Sequence, residues 1–406
     1  MTGGLLQLAF KGPQDVYLTG NPQMTFFKSV YKQHSNFSKD TQILQFDNQI
    51  KLGTTQSCII KRYGDLLSNV YLYLELPKII SSTNTETWKG YVNGVGYSII
   101  KEVTLEIGGS IIDKFDSNWL DIYNELYDRK TDDLVGKFNT DITLQENDSA
   151  KLLYIPLKFW FSKNPGLSIP LIALQYNEIR INIEFRNWNE IIKSNINNFI
   201  ISDPIIKANI IADYIHLDTN EKKMFTTKNH EYIIEQLQIL SEFDINSNIS
   251  SAKVPLDFNH PIKEIIWIIL DNINHTQNTK TGNNWLTYTS NSSLYNDTFK
   301  SAKITINGLD RTNNMPVKYF REVVPYECYP YLPRKHIYSY SFSLFPTQIQ
   351  PSGSCNYSKI NKSYLNIDFN PINNIGGITN GRIKVYGINY NILNIQKGLG
   401  GLLFMN

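Results

Sequence analysis

LEIGG at residues 105–109 and ITING at residues 304–308 are the two stretches on which the fold turns, and they stand 199 residues apart. In each, apolar residues alternate with polar ones, Leu105 and Ile107 in the first, Ile304 and Ile306 in the second. A period of two sends one face of a strand inward and the other outward. The alternation ends in Gly108-Gly109 or Asn307-Gly308, the residue types that accept the positive φ of a two-residue hairpin turn. A helical stretch follows both hairpins: Trp119, Leu120, Tyr123 and Leu126 in the first, Tyr319, Phe320 and Val323 in the second. Further on, RINIEF at 180–185 is matched by YLNIDF at 364–369, now 184 residues apart, so the intervening loops differ in length. Two copies of one β unit, each about half the chain, account for this pattern.

Composition agrees. Of the 406 residues, 13% are aromatic, with 25 Tyr and 20 Phe, and only 19% are charged. Aromatic and β-branched side chains suit a pleated, half-buried surface, and this mixture is the opposite of a disordered chain. The net charge of +2, without a basic tail, argues against direct binding of nucleic acid, which calls for a basic stripe to neutralise phosphates. Cys58, Cys328 and Cys355 are too few and too scattered for a disulfide framework, as suits a reducing compartment. MTGGLLQLAFKG at the start lacks the charged and apolar regions of a secretory signal. The longest apolar runs, such as Ile265 to Leu270, are far short of the ~18 residues that span a bilayer. Folding in the cytosol is the expectation.

Along the chain, Asn21 as N-cap, Pro22 at the first helical position and the spacing of Phe26, Phe27, Val30 and Tyr31 predict a helix. Val70, Leu72, Leu74 and Leu76 alternate up to Pro77 and predict a strand with one buried face. The halves meet near Asp203-Pro204 and a strand at Ala208 to Leu217, followed by a charged, helix-compatible connector from Thr219 to Phe225. No Gly/Ser linker intervenes, so the halves are expected to pack rigidly. The polar stretch Asn272 to Asp297 reads as a surface loop with its own task. The last strand, Arg382 to Ile395, changes its in/out register at Gly387, where a bulge is the expected device.

Five blocks go beyond pattern: DVYLTGNPQMTFFKSVYKQHSNFS (15–38), LEIGGSIIDKFDSNWL (105–120), IPLKFWFSKNPGLSIPLIALQYNEIRI (155–181), LFPTQIQPSGSCNYSKI (344–360) and VYGINYNILNIQKGLGGLLF (385–404). In this order they closely resemble the major capsid proteins of nucleocytoplasmic large DNA viruses, over essentially the whole chain. The resemblance implies an all-β fold of two tandem eight-stranded antiparallel jelly rolls with short helices in the connections. The expected divisions are 1–37 for an N-terminal arm and helix, 38–212 for the first jelly roll, 213–224 for the connector and 225–406 for the second. It further implies a homotrimeric, pseudo-hexagonal capsomer, three chains times two similar domains. Such capsomers tile an icosahedral shell over an inner membrane that the chain does not span, with minor capsid, cement and penton proteins as partners. Assembly in the host cytoplasm and residence in the virion follow.

Physical readings attach to these blocks. Asn164-Pro165-Gly166 is turn chemistry and Pro170 interrupts a ladder, so the segment is a shaped crossing between strands. The apolar arm residues Leu5, Leu6, Leu8 and Phe10 either order on neighbouring subunits or minor proteins, or pack on their own jelly roll. Asn274, Asn291 and Asn296 lie in N-x-Ser/Thr sequons. An Asn-rich chain generates such sequons by chance, and cytosolic folding bypasses glycosylation. No catalytic, metal or cofactor constellation is expected. The six histidines are isolated, without the spacing of a zinc helix or a cupin-type site, and are expected at the surface or at helix ends. There is no Gly-x-Ser-x-Gly elbow and no P-loop. Asp132-Asp133 reads as a solvated pair. The rival function is a lectin-like carbohydrate-binding jelly roll; a cupin-type enzyme and a single-jelly-roll minor or penton protein fit less of the chain.

Overall fold

The structure is a computed structural model that describes residues 3–81, 89–137, 151–194, 199–201, 206–246, 249–290, 296–370 and 377–405. It divides into two compact units, Met1–Phe37 and Ser38–Asn406.

The smaller unit holds helices α1 (Gly3–Ala9) and α2 (Asp15–Thr19). The helix expected after Asn21 is absent, and α2 ends just before it. Asn21 has φ 49°, the left-handed region, whereas an N-cap is extended. Phe26, Phe27, Val30 and Tyr31 are almost fully exposed, and a short helix without an apolar face to bury is marginal in water.

In the larger unit the first sandwich is formed by β1 (Phe37–Leu44), β2 (Thr55–Ile60), β3 (Leu66–Leu76), β4 (Ile100–Ile107), β5 (Ser110–Asp116), β6 (Lys151–Pro156), β7 (Ile179–Phe185) and β8 (Lys207–Leu217). One sheet has the order β1-β8-β3-β6 and the other β2-β7-β4-β5. The second sandwich uses β9 (His230–Ile239), β10 (Ser251–Pro255), β11 (Pro261–Asp271), β12 (Phe299–Ile306), β13 (Leu309–Asp310), β14 (Tyr338–Ser341), β15 (Ser363–Phe369) and β16 (Asn380–Gln396). Its sheets run β9-β16-β11-β14 and β10-β15-β12-β13, the same path strand for strand. In both, the first strand lies beside the last and the last beside the third, the connectivity of a jelly roll. Short additional ladders extend these sheets, among them Leu399–Leu402 on β16.

The paired motifs of the sequence fall on equivalent places. Gly108-Gly109 (φ 59° and 81°) and Asn307-Gly308 (φ 50° and 85°) carry positive φ at both central residues and turn β4 into β5 and β12 into β13. RINIEF lies in β7 and YLNIDF in β15, each alternating between buried and half-buried along its whole length. The connector after Leu217 is helix α4 (Thr219–Thr227), its first N–H held by the Asp218 carboxylate at 2.7 Å.

Two departures concern the second sandwich. β16 shows no bulge at Gly387: its ladder with β9 is continuous from Ile395 to Tyr386. The irregularity sits on the facing strand, where Lys263 of β11 is the extra residue between Ile262 and Glu264. Gly387 is small for a different reason, because a Cβ there would stand 2.6 Å from the Phe258 ring. β11 is buried on both faces from Ile262 to Asp271. Its run of Ile, Trp and Leu is thus the continuous apolar strand of a sheet covered on both sides.

Candidate functional site at the seam of the two sandwiches

What covers the outer face of β9-β16-β11-β14 is the first sandwich. Ile266, Ile268 and Leu270 of β11, Ile337, and Tyr386 and Ile388 of β16 belong to one apolar cluster with the interior of the first half, whereas Ile265, Trp267, Ile383 and Val385 point into the second sandwich's own core. Each side chain taken out of water in this way contributes roughly 1.5–3 kcal/mol, so the halves cannot move as beads on a string.

The element that enters the seam is α3 (Ser117–Leu126). Asp116 caps it, accepting from the Trp119 N–H at 2.8 Å, and also accepts from the Tyr386 hydroxyl at 3.1 Å and pairs with Lys384 at 2.5 Å. The cap thus fixes the helix and ties it to β16. One turn on, the Trp119 ring lies 5.7 Å from that of Tyr386. Tyr123 stacks on Tyr127 at 4.6 Å, and Tyr127 meets Tyr329 edge-on at 5.2 Å. The hydroxyls of Tyr127 and Tyr329 both donate to Glu264, a fully buried carboxylate of β11.

The opposite face of α3 is ionic. Asp121 and Glu125 are i,i+4 neighbours, both inaccessible to solvent, and the buried ammonium of Lys137 contacts them at 2.7 and 2.6 Å. From the second half, Lys335 reaches Asp121 at 2.7 Å, and Arg334 reaches Glu125 at 3.0 Å and Asp132 at 2.9 Å. Burial alone would raise the Asp121 pKa, but Lys335 and Lys137 reverse this and hold it at about 2. Glu125 is likewise depressed, burial being outweighed by Lys137 and the Arg334 hydrogen bond. Asp132, expected to be solvated, is therefore a member of this network.

A second ionic knot involves the bulge. Extruding Lys263 turns its side chain to Glu235 of β9, 2.5 Å away, and to the Pro346 carbonyl at 2.7 Å. Lys163 of the first half also pairs with Glu235, whose pKa falls to about 2 because the two lysines outweigh its burial. Nearby, Asp113 of β5 accepts from the N–H of Leu237 in β9 at 3.1 Å. Among the described residues no cation pairs with it, and burial pushes its pKa up to about 7 against the pull of its backbone hydrogen bonds and of the more distant Lys163.

Of the polar stretch 272–297, residues 291–295 lie outside the described residues, and the rest has a structural task rather than a free surface. The Asn283 amide, in the left-handed region at φ 56°, donates to the carbonyls of Asn189 at 2.6 Å and Ile192 at 2.9 Å in the first half. Trp285 Nε1 donates to the Glu190 carbonyl at 2.7 Å, and the Tyr288 hydroxyl donates to Asp121 at 2.7 Å. The loop thus clamps the second half to the first. The Asn283 side chain is spent on backbone groups of the other half, while Asn274, Thr276 and Thr289 bond within the loop, a division that composition alone cannot reveal.

The sequence-derived sites fall elsewhere. Leu5, Leu6 and Leu8 lie on α1 and Phe10 just beyond it, all four exposed. Asn274 is 2% exposed and its amide donates to the Thr289 carbonyl, so a glycan there would break the packed loop. Asn291 lies outside the described residues, and Asn296 is exposed. His275 and His336 are buried, contrary to expectation; the His275 pKa falls to about 4 through desolvation. Among the described residues no group of three or more His, Cys, Asp or Glu is placed to hold a metal ion, and no helix is long and apolar enough to cross a membrane. The seam carboxylates are each engaged by a cation, a hydroxyl or a backbone N–H. Sequence reasoning missed the Asp121, Glu125, Lys137, Lys335 network; its one signal was the pair of carboxylates at i,i+4 on the helix face opposite Trp119 and Tyr123.

The likeness to known proteins follows this geometry. Residues 25–218 match the family described as major capsid protein N-terminus, and residues 221–401 match that described as large eukaryotic DNA virus major capsid protein. The major capsid protein of Pyramimonas orientalis virus is 35% identical, with all of both chains covered. Among solved structures, a chain of the PBCV-1 virus capsid superposes with a TM-score of 0.79 at 28% identity, covering 94% of this chain and 100% of that one. The Faustovirus major capsid protein gives a TM-score of 0.75 at 12% identity over 95% and 94% of the two chains, a likeness of fold. The chain, a double jelly roll, belongs to the family of major capsid proteins of large eukaryotic DNA viruses.

Proposed function

We propose that this chain is the shell-forming subunit of a large double-stranded DNA virus, three copies closing into a pseudo-hexagonal capsomer that tiles an icosahedral capsid. The observation that carries the reading is the repetition of one strand order in two sandwiches locked side by side. Three such pairs around a threefold axis supply six similar edges, and a closed ring satisfies every contact. On this reading the divisions are 38–212, 213–224 and 225–406, with 1–37 as an arm whose Leu5, Leu6, Leu8 and Phe10 find their cover on neighbouring subunits or minor proteins. The role is mechanical rather than enzymatic. Minor capsid, cement and penton proteins are the further partners, the inner membrane lies near without being crossed, the genome is not contacted, and assembly occurs in the host cytoplasm. A glycan on the folded chain would belong on exposed Asn296, and the intact mass of virion protein reads it.

Solution mass combined with negative-stain microscopy tests the reading. A particle of three chains with a hexagonal outline is expected. A monomer under every assembly condition would overturn it.

A further inference from the structure

Ile233 of β9 stands opposite Ile392 of β16, and Tyr390, two residues earlier on β16, shares their face of the sheet. The chain returns to this ladder at its end: the Leu403 N–H donates to the Ile392 carbonyl at 2.9 Å, which sets Phe404 beside it. On the other side Asn356 pairs with Pro261 at the start of β11, so the stretch 351–359 forms a second wall. Between the walls lies a cavity of about 580 Å³, a size that suits a small molecule. The first wall is apolar, and Ile233 and Phe404 are still 55% and 53% exposed. That is apolar surface the chain leaves to water in a concave place.

The second wall is polar. It brings Ser354, Ser358 and Lys359, and no Asp or Glu is among the described residues that line the cavity. Glu235, opposite Tyr390 in the ladder, is taken up by Lys163 and Lys263. Two lining residues carry a buried polar atom without a hydrogen-bond partner among the described residues, the Nε2 of His260 and the hydroxyl of Tyr390. Buried polar atoms are nearly always paired, so two orphans at one cavity call for a partner that the chain does not supply. His260 also holds the left-handed φ of 63°, uncommon for a residue with a Cβ. Its backbone is fixed there on both sides: its N–H donates to the Ser358 hydroxyl at 2.8 Å, and its carbonyl accepts from the Tyr357 N–H at 3.0 Å.

We propose that this cavity binds a free fatty acid, its alkyl chain along Ile233, Ile392 and Phe404 and its carboxylate towards Lys359, His260 and the Tyr390 hydroxyl. The site goes beyond the capsomer reading and does not depend on it. The apolar wall accounts for the chain, and the polar wall decides the head. A cation lining a cavity that no acid lines favours a negative group, and an ammonium and a hydroxyl both donate to carboxylate oxygens. A cationic amphiphile would bring a like charge to Lys359, and a neutral alcohol would leave it unmatched. The concave shape suits a single chain from solution rather than the flat surface of a bilayer.

Equilibrium dialysis of the full chain against labelled octanoate, decanoate and dodecanoate, each below its micelle concentration, tests the proposal. Each methylene taken from water tightens binding about fourfold, so every two carbons are expected to tighten it roughly fifteenfold. Decyltrimethylammonium is expected not to compete. Lys359→Glu is expected to weaken decanoate binding about tenfold, and Ile233→Asp, a carboxylate set in the apolar wall, to abolish it. Both side chains are exposed, so the circular dichroism spectrum should stay unchanged. Tyr390→Phe removes the hydroxyl alone and is expected to weaken binding roughly tenfold. No binding of any of the three acids, binding that ignores chain length, or binding that survives Ile233→Asp overturns the proposal. Flotation with phosphatidylserine vesicles in place of acid binding would mark the face as a membrane contact and overturn it equally. None of these outcomes touches the trimer, whose mass is read separately.

Discussion

Lys137→Met isolates the energetic role of the seam. The substitution preserves an unbranched apolar stem and removes a buried ammonium lying 2.7 Å from Asp121 and 2.6 Å from Glu125. Arg334 and Lys335 still face these carboxylates and Arg129 lies 3.7 Å from Glu125, but all three are more exposed than the Lys137 ammonium they would have to replace. Removing one partner of a buried pair costs about 3–5 kcal/mol, because the charge left behind has neither water nor counter-charge. The remaining cations place the expectation at the lower end, about 3 kcal/mol, or a fall in Tm of about 6–12 °C for a sandwich of this size. Scanning calorimetry and urea unfolding read both quantities. The double variant Lys137→Met/Glu125→Gln also removes one of the two buried carboxylates that Lys137 contacts and is expected to be less destabilised than the single one. A single variant that loses under 1 kcal/mol, the level of an exposed ion pair, or a double variant that is simply additive, would refute the reasoning.

Trp119→Ala removes the ring packed on Tyr386 and is expected to cost about 3–5 kcal/mol, measured by urea unfolding. Gly387→Ala places a Cβ 2.6 Å from Phe258, whose ring is itself held edge-on to Tyr357, and is expected to cost about 1–3 kcal/mol in the same assay. Asp113 gives a pH signature. Its pKa is raised from 3.8 to about 7 on folding, so the folded state binds the proton more tightly than the unfolded one. The associated stability is full below pH ~4 and is lost as pH rises through ~7. Tm measured from pH 5 to 8 should therefore fall more steeply for the wild type than for Asp113→Asn; parallel profiles would remove Asp113 as the cause.

Local chemistry was legible in the sequence. The paired hairpins, the alternation in RINIEF and YLNIDF, and the helix at Trp119 all depend on neighbours within a few residues, and each stands where its period put it. What escaped depends on partners far along the chain. Gly387 reads as a bulge until Phe258, 129 residues earlier, is seen against it. Residues 272–297 read as solvated because polar side chains look alike whether they meet water or the carbonyls of Asn189 and Ile192. Asn21-Pro22 carries the signals of a helix start, but no apolar face is buried to sustain the turns. The run Ile265 to Leu270 is the instructive case. Too short for a membrane, it is the strand that must be covered twice, once by its own sandwich and once by the other.

Cryo-electron microscopy of the purified chain images the capsomer itself. A threefold particle with six similar sandwiches in its outline is expected. Sandwiches that rotate freely against each other within one chain, or a stable particle closed by any other symmetry, would contradict it.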